Sequence, residues 1–208
     1  MTVAPARPRP DLGTLLRYRT IDLVTVATLS VAFGVVFWGW NQLYAVITAG
    51  LTFGFPPAAA VLGGPWLLAG VVGGLVVRRP GAALATELLA AVVSGLLGNQ
   101  WGLSVVVSGA VQGIGAEIVL AVLLWRRFGV TVAAWSGAVA GLAGGLYEAN
   151  LYYSDWDAGW KLAYMGFFAL SGAVVAGIGG WVLVRALART GALDSFGAGR
   201  EHHAARAV

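Results

Sequence analysis

The sequence predicts an all-α integral membrane protein with six transmembrane helices and both termini in the cytoplasm. Composition, the length of the apolar runs and the placement of arginine predict it. Of the 208 residues, 59% are hydrophobic and 11% charged, against about 45–50% and about 25% in a soluble domain, which excludes a water-soluble globule. One bilayer crossing takes about 20 apolar residues, so six crossings use about 120 and leave no sizeable extramembrane domain. The runs are continuous, whereas a membrane β-barrel would alternate over strands of about ten residues.

In chain order, residues 1–19 read as a cytoplasmic tail. They hold Pro5, Pro8, Pro10, Arg7 and Arg9 and lack the apolar run and cleavage site of a signal peptide. Residues 20–187 form the membrane domain, with helices expected near Ile21–Ile47, Pro56–Val77, Gly81–Leu97, Leu103–Leu124, Val130–Leu151 and Leu162–Val184. The third is short. Residues 188–208, rich in Gly, Ala, Arg and His, read as a disordered cytoplasmic tail.

Arginine orients these segments. Arg17 and Arg19 precede the first, Arg78 and Arg79 follow the second, Arg126 and Arg127 the fourth, and Arg185 and Arg189 the sixth. The opposite boundaries hold one Lys, two Asp and no Arg. The positive-inside rule therefore places both termini in the cytoplasm. Trp38, Trp40, Trp101, Trp156 and Trp160 fall near the outer boundary, as interfacial anchors do. The 31 glycines are spread through the helices, and runs such as Gly141, Gly144, Gly145 suit close helix approach.

Enzyme chemistry finds little support. The absence of cysteine excludes disulfides, thiolate nucleophiles and cysteine metal sites, and the phosphate-loop, His-Glu-x-x-His and Gly-x-Ser-x-Gly patterns are absent. His202 and His203 are the two histidines and fall in the tail, where a solvated pair is expected. No cofactor or metal is expected. The basic pI near 9.9 reflects topology rather than nucleic-acid binding.

Three carboxylates fall well inside apolar segments: Glu87, Glu117 and Glu148. Ionised, each needs a polar cavity, a partner or a ligand. Counted from the flanking arginines, Glu87 and Glu117 reach similar depth, and Glu148 lies nearer the outside. Two readings stay open: a cavity that opens outward and binds a cationic or amidine-like ligand, or protonated side chains hydrogen-bonding between helices. Ser104, Ser108 and Gln112 share one helical face. Gly137, Gly141, Gly144, Glu148 and Tyr152 share another, beside which either a helix or a ligand fits. The turn Gly98-Asn99-Gln100-Trp101-Gly102 either anchors the loop or caps a planar molecule.

The run Arg79-Pro80-Gly81-Ala82-Ala83-Leu84, then Glu87, Gly98-Asn99-Gln100-Trp101-Gly102 and Gln112-Gly113-Ile114-Gly115-Ala116-Glu117 resembles the YkoE family. These are substrate-binding S components of energy-coupling factor (ECF) transporters, associated with thiamin and its hydroxymethylpyrimidine precursor. The resemblance implies an S-component-like bundle in a prokaryotic plasma membrane. It also implies a membrane coupling subunit and two ATPase subunits as partners. Glu87, Gln112 and Glu117 are then expected to hold the polar edge of the ligand, with Asn99, Trp101, Glu148 and Tyr152 shaping the outer site. The resemblance further implies a lid over Asn41 to Phe55 and a docking face of small residues on the first helix, for which Thr28 with Ala32 and Ser30 with Gly34 have the spacing. Against this stand a self-sufficient proton-coupled carrier, an S component for another vitamin, and a scaffold.

Overall fold

The computed structural model describes residues 13, 16–50 and 54–206. The long apolar runs become helices because a helix satisfies its own backbone groups. α1 spans Thr20–Gly50. At 31 residues it is about 46 Å long, well beyond the roughly 30 Å of a bilayer core. α2 covers Leu68–Val77, α3 Ala82–Leu97, α4 Ser104–Val122 and α5 Val130–Leu151. α6 runs through Ala158–Arg189, with a π-helical stretch at Gly172–Gly179. α7 is Gly197–Arg206.

Among the described residues, α1, α4, α5 and α6 are long and apolar enough to cross a membrane. A fifth span exists if α2 is counted with the turns before it. The single helix expected over Pro56–Val77 is in fact broken: two 3-10 turns, Pro56–Leu62 and Gly64–Leu67, precede α2, with a bend of 47°. Pro56, Pro57 and Pro65 supply no backbone N–H, and Gly63 and Gly64 add freedom beside them. α3, with 16 residues, is a shorter apolar helix.

α2 is the axis of the bundle, buried continuously from Ala69 to Val77. α3 packs against α1, α2 and α4, while α5 lies between α4 and α6. The α5–α6 crossing depends on absent side chains. A Cβ on Gly137 or Gly172 would run into the other's carbonyl, and one on Gly141 would lie 2.5 Å from the Phe168 carbonyl oxygen.

The arginines gather at one end. Arg19 pairs with fully buried Asp22 at 2.6 Å, and Arg79 stands 3.6 Å from the same carboxylate. Arg78 donates twice to Glu201, at 2.5 and 2.8 Å, and lies 4.3 Å above the Phe128 ring. Where a disordered tail was expected over 188–208, the described residues, which end at 206, continue α6 to Arg189 and turn into α7. Leu193 and Phe196, three positions apart, are buried against the bundle, and Glu201 holds Arg78. Two apolar anchors and one ion pair order a segment whose average composition is polar.

Candidate functional site

The other end of the bundle holds a cavity that opens to the outside, with about 650 Å³ of space when its solvent-open part is counted. Among the described residues, its lining includes Glu87 and Glu148 and no Lys, Arg or His. Two carboxylates without a cation favour a ligand that brings positive charge or several N–H donors.

One wall is polar. Ser108, on α4, donates to Glu148 Oε1 at 2.9 Å and accepts from Gln112 Nε2 at 2.9 Å. Gln112 Nε2 also lies 3.2 Å from Glu148 Oε1, and the Tyr164 hydroxyl donates to Oε2 at 2.9 Å. The helical spacing of four that joins Ser108 and Gln112 builds this wall. Room for Gln112 comes from Gly144, where a Cβ would lie 2.9 Å from Gln112 Cγ.

Glu87 forms the floor and is 1% exposed. Its Oε2 accepts from the Gly70 N–H at 2.6 Å, in the first turn of α2, where helix donors lack internal partners. Its Oε1 is buried without a hydrogen-bond partner.

The facing wall is aromatic. Tyr44 of α1, Trp66 of the second 3-10 turn and Trp101 of the α3–α4 turn meet pairwise, with ring centroids 5.0, 5.4 and 5.7 Å apart. Asn41 also lines the cavity. Its Oδ1 accepts from Trp66 Nε1 at 2.7 Å and its Nδ2 donates to Ser94 Oγ at 3.1 Å. Tyr152, at the rim, bonds the Ser104 hydroxyl at 2.6 Å, and Tyr153 stacks on Trp156 at 4.0 Å.

Of the residues singled out from sequence, Glu87, Trp101, Gln112, Glu148 and Tyr152 converge on this cavity. Asn99 does not line it; its side chain accepts from the Trp101 N–H at 2.8 Å and shapes the turn. Glu117 also stands apart and is not part of the cavity lining. Its carboxylate caps α3, accepting from the N–H groups of Gly81, Ala83 and Leu84 at 2.9, 2.9 and 3.3 Å. It also accepts from Trp125 Nε1 at 2.7 Å. Trp125 reaches it because Leu124 and Trp125 both turn left-handed after α4, with φ of 52° and 50°. Depth counted along two helices could not reveal a third element folding over one of the carboxylates.

Asn41, Tyr44, Trp66, Ser94, Tyr153 and Tyr164 line the cavity and were not singled out. Asn41 had a visible signal, an amide in the long apolar run of α1. The expected lid is partly helix, since α1 continues to Gly50; residues 51–53 lie outside the described residues. The two small-residue pairs on α1 separate. Ser30 and Gly34 are buried against α3: Ser30 Oγ lies 3.2 Å from the Thr86 carbonyl oxygen, and a Cβ on Gly34 would meet Val93 at 2.5 Å. Thr28 and Ala32 are exposed on the outward face.

Comparison with known proteins gives three findings. A family described as ABC-type cobalt transport system, permease component, matches residues 21–143. The HMP/thiamine permease protein YkoE of Bacillus subtilis (strain 168) is 32% identical over 185 residues, covering 88% of this chain and 92% of that protein. A crystal structure described as an S-component of ECF transporter matches with a TM-score of 0.84 and 31% identity, over 91% of this chain and 95% of that one.

Proposed function

Because the chain belongs to the YkoE family of S components of ECF transporters, we propose that its cavity binds thiamin or hydroxymethylpyrimidine from outside the cell. The observation that carries this reading is the unpartnered Oε1 of Glu87 on the floor of a cavity lined by two carboxylates and no cation. Leaving a buried acceptor unpaired costs about 1–3 kcal/mol, and more for a charged group. A ligand N–H that reaches Oε1 recovers that cost on binding. The exocyclic amine of an aminopyrimidine is such a donor, and the Gln112–Glu148 wall supplies further polar contacts. The thiazolium of thiamin adds a cation, which aromatic faces attract by about 0.5–2 kcal/mol. Tyr44, Trp66 and Trp101 provide those faces.

In this reading Glu87, Gln112 and Glu148 hold the polar edge of the ligand, while Trp101 and Tyr152 shape the mouth. Asn99 supports the turn, and Glu117 supports the fold. The chain crosses a prokaryotic plasma membrane six times, with short α3 counted as a crossing and the arginine-rich end in the cytoplasm. ATP hydrolysis belongs to two partner ATPase subunits. The coupling subunit docks on the outward face of α1 through Thr28 and Ala32, because Ser30 and Gly34 are already used against α3.

Calorimetric titration of the detergent-solubilised chain with thiamin, hydroxymethylpyrimidine and riboflavin tests the ligand. Saturable binding of the pyrimidine compounds and none of riboflavin is expected. A folded sample that binds neither pyrimidine compound would overturn the assignment.

A further inference from the structure

We propose that Asn41 is a positioning residue that fixes the aromatic wall, and with it the preference of the cavity for a ligand carrying a cationic ring. The proposal rests on the ligand reading above and goes beyond it by assigning the origin of selectivity within the pyrimidine compounds.

Trp66 is the ring in the wall that most needs a restraint. It sits in the 3-10 turn Gly64–Leu67, after two glycines and one proline, where no regular helix dictates its direction. Two consecutive residues of α1 hold the segment. Trp40 donates its indole N–H to the Leu62 carbonyl at 3.0 Å, and Asn41 accepts the Trp66 indole N–H at 2.7 Å. Asn41 is itself 4% exposed, and its amide nitrogen is held by the Ser94 hydroxyl of α3 at 3.1 Å. One amide thus ties α1 to the turn before α2 and to α3. A buried polar group with both ends engaged fixes one geometry, because any other would leave a donor or an acceptor unpaired.

The chemistry at stake differs between the two walls. The hydrogen bonds of Glu87, Gln112 and Glu148 run to Gly70, Ser108 and Tyr164 and to one another, not to Asn41 or Trp66. Trp66 instead meets Tyr44 and Trp101 edge to face, with ring centroids 5.0 and 5.4 Å away. Loosening Trp66 therefore removes organised ring faces while sparing the hydrogen-bonding wall. A cationic ring loses more by this than a neutral aminopyrimidine, which keeps its hydrogen-bonded edge. Asn41 also lines the cavity, so its action through Trp66 is separated from a direct contact by pairing its substitution with one at Trp66.

The test is a calorimetric titration of the full chain in detergent with thiamin and with hydroxymethylpyrimidine, for the wild type, N41L, W66F and the double variant. N41L should lower thiamin affinity about tenfold and leave hydroxymethylpyrimidine affinity within about twofold. Added to W66F, it should cost almost nothing more, because the indole N–H is already gone. S94A, a milder change, should move the ratio in the same direction by a smaller factor, and it carries the test with W66F if N41L does not fold. Equal losses for both compounds, or additive effects in the double variant, would overturn the positioning role. A wild type that binds neither compound would instead overturn the ligand reading on which this role rests.

Discussion

Glu87 and Glu117 are the same residue type, each inside an apolar helix and each set against the first turn of a neighbouring helix. They differ in what is left over. Glu117 meets four donors: three backbone N–H groups at the start of α3 and the Trp125 indole. Glu87 meets one, the Gly70 N–H, and keeps a buried oxygen unpaired on the floor of a cavity. A saturated carboxylate has no interaction left to offer a ligand, whereas an unsaturated one carries a cost that a ligand can relieve. Their saturation separates the two acids in this membrane domain, and the proposed roles follow from it.

The largest expected effect is on stability at the Glu117 corner. E117A leaves three helix N–H groups and an indole without their acceptor, so unfolding in detergent should shift by about 3 kcal/mol or more. The fraction that remains folded should bind thiamin within about twofold of the wild type. An unchanged melting temperature with lost binding would reverse the roles of the two acids. E87Q provides the opposite case, with thermal stability within about 1 kcal/mol of the wild type because only one bond to the backbone is at stake.

Gly144→Ala sharpens the cavity side of the comparison. The new Cβ would lie 2.9 Å from Gln112 Cγ and 3.1 Å from its Nε2, displacing the amide that bridges Ser108 and Glu148. Thiamin affinity should fall about five- to tenfold, as for the loss of one good hydrogen bond. Full affinity in titration calorimetry would remove Gln112 from the ligand contacts.

The smallest effect belongs to the α7 contact. Arg78 beside Glu201 holds its carboxyl below the usual range. A depressed value means that the pair stabilises above the ordinary glutamate pKa of about 4.3 and is lost as pH falls through the lowered value. Glu201 is largely solvent-exposed although Arg78 is not, and screening at the carboxylate keeps the contribution of the pair below about 1 kcal/mol. Proteolytic nicking between Leu193 and Arg206 should increase in E201Q at pH 7 and match the wild type in strong acid.

The helical architecture was legible because long apolar runs interrupted by arginine have few other solutions. The polar side chains of the site were legible for a related reason: Glu87, Gln112 and Glu148 are expensive in a membrane, so their presence calls for an explanation. The aromatic wall was not. Tyr44, Trp66 and Trp101 lie on three separate elements, and tryptophans at a membrane boundary have an ordinary anchoring role that conceals a second one. The capping contacts of Glu117 were hidden because three of its four partners are backbone N–H groups, which carry no residue-specific signal. The order of α7 was hidden by composition, since Leu193 and Phe196 are two apolar residues in a polar stretch.

The most direct measurement is the calorimetric affinity of thiamin for the wild-type chain and for E87Q under one detergent condition. The unpaired Glu87 oxygen predicts saturable binding to the wild type and an affinity about 10- to 100-fold weaker in E87Q, at unchanged melting temperature. Equal affinities in two folded samples would contradict the assignment of Glu87 to the ligand.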